Sequence, residues 1–220
     1  MKRLLLVLCV VFAASQVFAQ APYACVTKGA VLEYAYYDEA DKIDHYDRQV
    51  FQDVTSLGDG NYDFRILHSS IDKPGQKGEG DGAFITMGEI RDNAAKISIS
   101  LGEAEGTIDV TGSSPNLTTI PNKLAVGYLL PIGDVKVNME GMVMVASITE
   151  NEVIGREEIK VPAGNFKCYI VKQTVAMNMM GASVSVTSKT WYSRGVGAVK
   201  SESMMGSRLV GRSELVTFNK

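Results

Sequence analysis

Residues 30–61 read AVLEYAYYDEADKIDHYDRQVFQDVTSLGDGN, and this stretch decides the fold. Apolar and polar side chains alternate around Tyr34 at every second position, which is the period of a β-strand with one buried face. The polar residues 38–42 interrupt the alternation, and a second strand is predicted for residues 43–57. The Asp59-Gly60 pair then favours a tight hairpin turn because both residues tolerate a positive φ. The stretch therefore predicts three antiparallel strands joined by two hairpins.

The same alternation continues to the end of the chain, with turn residues between the runs, and helical periodicity is almost absent. About ten or eleven strands at hairpin spacing predict an all-β fold built as an antiparallel meander. A sheet of that many twisted strands curls because an open one leaves unpaired edges, so we expect a barrel or half-barrel. Residues 113–133 contain three prolines and form the one long segment without strand character, which we expect to cover an open end.

Residues 1–19 have the three parts of a secretory signal peptide. Lys2 and Arg3 give a charged start, residues 4–12 form an apolar run, and Ala19 offers a small side chain at the cleavage point. The apolar run is shorter than the roughly 20 residues of a membrane-spanning helix. We therefore expect cleavage after Ala19, export to the periplasm or the cell exterior, and no membrane-spanning segment.

The remaining residues 20–220 fit one β domain with a sizeable core, and no linker divides them. The formal net charge of the chain is −3, and loss of the basic signal peptide makes it more negative. A mildly acidic surface disfavours nucleic acid as a partner.

Two cysteines, Cys25 and Cys168, remain after residue 19. Export places them in an oxidising compartment, where thiols tend to pair. We therefore predict a structural disulfide between them, with two unpaired small apolar side chains as the alternative.

Residues that support catalysis or hold a cofactor are scarce. The chain has two histidines, His45 and His68, and no Gly-x-Ser-x-Gly motif. His68 shares its strand face with apolar residues and is interpreted as a core or rim histidine. The acidic residues between 38 and 47 match no calcium loop and are interpreted as a solvated hairpin tip. No histidine or cysteine pair has zinc spacing, so we predict no catalytic, cofactor-binding or metal-binding residues.

Methionine is unusually frequent in the second half of the chain. Methionine fills irregular cores and lines apolar pockets, and thioether clusters also bind copper(I), so three interpretations stay open. Alternation in the predicted strands places methionines in pairs on one face. The candidate cavity-lining residues are Met142, Met144, Met177, Met179 and Trp191.

Three segments resemble one protein family: residues 120–127 (IPNKLAVG), residues 161–169 (VPAGNFKCY) and residues 191–200 (WYSRGVGAVK). In this order they are similar to the TapB-like family of exported all-β proteins of Gram-negative bacteria. The resemblance runs over most of residues 20–220 and implies no catalytic residues. The family is distantly similar to envelope lipoprotein carriers, whose half-barrels enclose an apolar cavity, although this chain lacks their helical lid segments.

These observations favour a non-catalytic envelope protein that binds an apolar, lipid-like molecule or a protein partner in its curled sheet. One alternative is a structural or assembly factor that pairs through a sheet edge and holds no small molecule. A hydrolase is the third, because distant strands can bring together two acids such as Glu33 and Asp109.

Overall fold

In the computed structural model, the described residues are 21–76, 83–91, 94–100, 109–111, 118–139, 142–179 and 182–220. Within these ranges the chain forms thirteen β-strands. Their bounds are β1 Val31–Tyr37, β2 Ile43–Gly58, β3 Asn61–Ile71, β4 Phe84–Arg91, β5 Ala94–Ser100, β6 Asp109–Thr111, β7 Thr118–Pro121, β8 Gly133–Met139, β9 Met142–Val161, β10 Gly164–Met179, β11 Ala182–Ser193, β12 Gly197–Met205 and β13 Arg208–Asn219.

All thirteen described strands belong to one antiparallel sheet with the order β6-β8-β9-β10-β11-β12-β13-β1-β2-β3-β4-β5-β7. The predicted meander is confirmed for β1 to β5 and for β8 to β13, because neighbours in sequence are neighbours in the sheet. The short strands β6 and β7 instead pair with β8 and β5 at opposite edges. Since the edges do not join, the sheet is a curled half-barrel rather than a closed barrel.

Both turns predicted in the opening stretch are confirmed. Between β1 and β2, one carboxylate oxygen of Asp38 accepts hydrogen bonds from the backbone N–H groups of Ala40 and Lys42, each at 2.9 Å. Backbone hydrogen bonds close the same turn, from the N–H of Asp38 to the carbonyl of Lys42 at 2.9 Å and from the N–H of Asp41 to the carbonyl of Asp38 at 3.1 Å. Between β2 and β3, Asp59 has a φ of 51° and Gly60 a φ of 77°, as a two-residue hairpin turn requires.

The hairpin of β9 and β10 closes one end of the half-barrel. Its turn follows Val161, and the backbone N–H of Ala163 donates to the carbonyl of Leu215 in β13 at 3.2 Å. Val161 is therefore buried in the same core cluster as Leu32 and Phe64, on strands far away in the sheet. The long strands β9 and β10 allow the hairpin to reach across.

The segment after β7 extends the sheet along β9, although the sequence predicted no strand within residues 113–133. The N–H of Gly127 donates to the carbonyl of Val153 at 2.8 Å, and the N–H of Leu130 donates to that of Asn151 at 2.8 Å. Leu130 packs in a second, smaller core cluster with Val153. The prolines allow this because the paired groups belong to other residues.

The predicted disulfide is wrong: Cys25 and Cys168 are buried free thiols in this structure. Burial raises the pKa of the Cys168 thiol to about 12, and the carboxylate of Glu157 adds to the rise. Burial also raises the pKa of the Cys25 thiol. A disulfide needs its two sulfur atoms within bonding distance, and the structure does not bring Cys25 and Cys168 so close. An oxidising compartment favours pairing only where the fold brings two thiols together.

Residues 1–20 lie outside the described ranges, so the signal peptide over residues 1–19 stays a prediction. The described ranges contain no helix with the length and apolar character that crossing a membrane would take.

Candidate functional site

The curled sheet encloses an open cleft of about 700 Å³. One wall comes from the face of β1 to β4 that carries Leu32 and Tyr34, and the other comes from β11 to β13. The backbone near Cys25 and the corner at Val196 line it as well. The cleft therefore lies on the concave face, where the predicted alternation of the opening stretch directs its apolar side chains.

The inner end of the cleft is apolar. It is lined by Leu32, Phe51, Phe64 and Ile66, each of which is at least 96% buried. The rings of Phe51 and Phe64 lie 5.9 Å apart in a tilted arrangement. Gly88 makes room for the Phe64 ring, because a Cβ at this position would lie only 2.0 Å from a ring carbon.

A strip of polar side chains crosses the middle of the cleft. The Oδ2 atom of Asp47 accepts a hydrogen bond from Nε2 of Gln49 at 2.8 Å and lies 3.2 Å from Nδ1 of His68. The other ring nitrogen of His68, Nε2, lies 2.8 Å from Oγ1 of Thr86. Asp47, His68 and Thr86 therefore form one hydrogen-bonded line, which we call the polar strip together with Gln49.

Strand register brings the polar strip together. Gln49 in β2 lies opposite His68 in β3, and Thr86 in β4 lies opposite Ile66, two residues before His68. Residues opposite one another or two positions apart share a face of an antiparallel sheet. The strip therefore spans three consecutive strands.

The acidic residues between 38 and 47 were interpreted as a solvated hairpin tip, and this interpretation is wrong for Asp47. Its side chain is 14% exposed and faces the cleft, whereas Asp44, three residues earlier, is 68% exposed. The parity of the strand was the available signal, because Asp47 shares its face with Gln49 and Phe51. The position of the acid in the cleft follows from that alternation.

Two tyrosines of β1 stand beside the polar strip. Tyr34 donates its hydroxyl hydrogen to the carbonyl of Ala198 in β12 at 2.8 Å. Burial raises the pKa of Tyr34 well above its usual value, and the charge of Asp47 contributes. The pKa of Tyr36 rises to about 12 for the same two reasons, burial first. Both hydroxyls therefore stay protonated and neutral at physiological pH.

The outer end of the cleft leads into a second hollow of about 430 Å³ that shares Tyr36 and His45 with it. The imidazole of His45 stacks on the ring of Tyr36 with 4.7 Å between the ring centres. Arg212 also lines this hollow, but its guanidinium is 2.7 Å from a carboxylate oxygen of Asp41 and 3.4 Å from one of Glu214. The outer end therefore holds an arginine that acids already neutralise.

Another acid, Glu33, lies on the opposite face of β1. It is fully buried, accepts a hydrogen bond from Nη1 of Arg48 at 2.9 Å, and accepts another from the backbone N–H of Gly75 at 2.9 Å. The side chain of Asp109, its hypothetical catalytic partner, lies outside the description. Because Arg48 and Gly75 already donate hydrogen bonds to the Glu33 carboxylate, Glu33 has a structural role.

The methionines predicted to line a cavity are only partly described. The side chains of Met142, Met144 and Met179 lie outside the description. Met177 is half-buried in β10. Neither Met177 nor Trp191 is among the described residues that line the cleft. Trp191 is instead packed in the main core cluster, and its indole N–H donates to Glu157.

No metal centre can be assembled from the part of the chain that the structure describes: nowhere in it do three or more His, Cys, Asp or Glu side chains gather closely enough.

Two of the segments that carry the family resemblance meet in the structure. Arg194, in the corner between β11 and β12, donates to the carbonyls of Asn122 and Ala21. Its guanidinium also lies 4.4 Å from the centre of the Tyr23 ring. The corner therefore joins these two segments, while Val196 and Gly197 within it also line the cleft.

Solved structures with the same fold come from two bacteria. One is a candidate exported protein with a YmcC-like fold from Bacteroides fragilis, with a TM-score of 0.71 and 16% identity over 91% of this chain and 100% of that one. The other is a candidate lipoprotein from Parabacteroides distasonis, with a TM-score of 0.71 and 17% identity over 91% and 99%. At these identities the similarity concerns the fold alone. Among curated proteins, none matches this chain.

The family is established by sequence rather than by fold. A model of the DUF3108-like family matches residues 27–215, which include every described strand from β1 to β12 and most of β13. The narrower TapB-like resemblance is not confirmed by this match. The chain belongs to the DUF3108-like family.

Proposed function

We propose that this chain is an exported, non-catalytic binding protein that holds a lipid-like amphiphile in its half-barrel. The apolar part of the ligand lies against Leu32, Phe51 and Phe64, and its polar head lies at the polar strip. Residues 1–19 are removed on export, and residues 20–220 act in the periplasm or outside the cell. Within the DUF3108-like family, the segments at 161–169 and 191–200 support the narrower TapB-like membership.

The cleft itself is the observation that carries this proposal. Its volume of about 700 Å³ falls within the range of small-molecule sites. Its lining also has the composition of such sites, with apolar and aromatic walls around a few convergent polar groups. The division into an apolar inner end and a polar middle matches a molecule with an apolar tail and a polar head.

The alternative role as an assembly factor that pairs through a sheet edge has weaker support. Within the described ranges, the two edge strands β6 and β7 are three and four residues long. Short edge strands offer few backbone groups to a partner and are a common protection against pairing. The concave face, in contrast, holds the cleft of about 700 Å³.

Binding of the neutral apolar dye N-phenyl-1-naphthylamine tests the proposal, because its fluorescence rises in an apolar site. Thr190 lines the cleft in β11, and its neighbour Lys189 is exposed on the other face. We expect Thr190→Trp to weaken dye binding about tenfold or more by filling the cleft, and Lys189→Trp to leave it unchanged. Equal binding by the two folded variants, or no binding by the wild type, would show that the cleft is not the site.

A hydrolase is the second candidate, favoured by the line from Asp47 through His68 to Thr86. In this order an acid orients an imidazole that takes the hydroxyl proton. The Thr86 oxygen would then attack an ester carbonyl, the alcohol would leave with the proton from His68, and water would release the acid. This function ranks second because Thr86 is only 5% exposed and Gln49 shares the Asp47 oxygen.

Turnover of 4-nitrophenyl esters separates the two candidates. A binding protein releases no 4-nitrophenol above the rate of the Thr86→Val variant, which keeps the shape of the side chain without the hydroxyl. A wild-type rate at least about a hundredfold above that of Thr86→Val would establish the hydrolase instead.

A further inference from the structure

The charges that face the cleft are unequally distributed. Among the described residues that line it, Asp47 is the one carboxylate, and none is a lysine or an arginine. The other titratable groups that face the cleft are the imidazoles of His45 and His68, the thiol of Cys25 and the phenols of Tyr23, Tyr34, Tyr36 and Tyr192. At pH 8, where imidazole, thiol and phenol are ordinarily uncharged, Asp47 therefore dominates the charge of the cleft.

Asp47 has unused capacity to accept hydrogen bonds. Gln49 and His68 both bind its Oδ2 atom. No hydrogen bond to the Oδ1 atom is found among the described residues. An ionised carboxylate has about four acceptor positions, and an exposed fraction of 14% leaves Asp47 accessible from the cleft. A ligand in the cleft thus meets a carboxylate oxygen that the protein itself does not occupy.

As in the cleft, the side chains that line the outer hollow carry a net negative charge. Asp38, Glu39 and Asp44 line it, and the one arginine there, Arg212, is paired with Asp41 and Glu214. A ligand head that enters from this end therefore passes an acidic surface. Such a surface attracts cations and repels anions, although salt screens the exposed charges.

From these observations we infer that the ligand is an amphiphile with an amine head and that Asp47 Oδ1 accepts a hydrogen bond from the ammonium group. An ion pair in a partly desolvated cleft is stronger than one at the surface, so this contact discriminates between heads. A fatty acid or another anionic head would place two negative charges together, and the cleft disfavours it. This inference rests on the proposed function and names the class of ligand.

Three probes with the same twelve-carbon tail test the inference at pH 8: dodecylamine, 1-dodecanol and dodecanoate, each displacing N-phenyl-1-naphthylamine. In the wild type we expect dodecylamine to bind about tenfold more tightly than 1-dodecanol, and dodecanoate to bind most weakly. Asp47→Asn should lower the affinity for dodecylamine to that for 1-dodecanol. The control Asp59→Asn removes an exposed charge in the turn between β2 and β3, outside the cleft and the outer hollow, and should change each affinity less than about twofold.

The outcomes separate the inference from the proposed function. If the dye and 1-dodecanol fail to bind the wild type, the proposed function is wrong. If 1-dodecanol binds but dodecylamine has no advantage, or if dodecanoate binds best, the inference alone is overturned. The wild-type ranking decides this even if Asp47→Asn does not fold.

Discussion

Two acids on neighbouring strands, the fully buried Glu33 in β1 and the partly buried Asp47 in β2, have opposite surroundings. The Glu33 carboxylate is fully buried on the outer side of the strand pair and is bound by a charged guanidinium and a backbone N–H. The Asp47 carboxylate faces the cleft, has only an amide and an imidazole as partners, and binds both through one oxygen.

The difference indicates which acid holds the fold together and which is available to a ligand. A buried carboxylate is stable only if its partners replace the lost hydration, and Glu33 meets this condition within the protein. Asp47 meets it only in part, so the cleft must supply the remainder as water or as a ligand. The following four variants test these two acids and the packing of the cleft, from the largest expected effect to the smallest.

Glu33→Ala should be the most damaging substitution. It leaves Arg48, whose side chain is 18% exposed, and the N–H of Gly75 without their acceptor. We expect a loss of about 3 kcal/mol in the free energy of unfolding, measured by urea denaturation with the fluorescence of the single Trp191. The control Glu39→Ala removes an exposed carboxylate 3.6 Å from Arg208 and should change stability by less than about 0.5 kcal/mol. Similar losses for both variants would contradict the structural role of Glu33.

Gly88→Ala tests whether the apolar end of the cleft is packed as tightly as a core. The added methyl group collides with the Phe64 ring, which cannot move without disturbing Phe51. We expect a loss of about 2 kcal/mol in the same denaturation experiment. Gly211→Ala is the matched control, because a Cβ there meets no atom within 4 Å. If Gly88→Ala is as stable as its control, Phe64 is not held in place and the apolar end is loosely packed.

Tyr34→Phe removes one hydroxyl between the two walls of the cleft. The Ala198 carbonyl then loses its donor, at an expected cost of about 1 kcal/mol in the free energy of unfolding. Tyr128→Phe, on a side chain with 45% exposure, serves as the control and should be neutral. A neutral Tyr34→Phe would mean that water replaces the tyrosine as the donor to Ala198.

Asp47→Asn should have the smallest effect on stability. The amide keeps an oxygen that accepts from Gln49 or His68, and no lysine or arginine is left without its partner. We expect a change within about 0.5 kcal/mol, again by urea denaturation. A loss above about 2 kcal/mol would place Asp47 with Glu33 among the structural acids and remove the basis for a ligand contact.

Local sequence patterns predicted the strands and turns of the fold well. Alternation located β1 and β2, and the Asp59-Gly60 turn lies where the dipeptide indicated, because these features depend on neighbouring residues. The strands β6 and β7 lie at opposite edges of the sheet because β6 pairs with β8 and β7 pairs with β5. The alternation of residues within a strand gives no information on which strands pair.

The candidate site was less predictable for the same reason. The parity of His68 with apolar neighbours indicated a buried position, but its contacts with Asp47 and Thr86 depend on the register of three strands. The room that Gly88 gives Phe64 also depends on this register. The predicted export suggested a disulfide, whereas pairing depends on the distance between Cys25 and Cys168 in the fold, which the sequence does not give.

The position of β13 beside β1 has a consequence for the assembly of the sheet. Residues 208–219 follow the other twelve described strands along the chain, yet they pair with both β12 and β1 in the middle of the sheet. Without them, β1 lacks one neighbour and the two halves of the sheet cannot join. Loss of these twelve residues would therefore divide the sheet rather than shorten one of its edges.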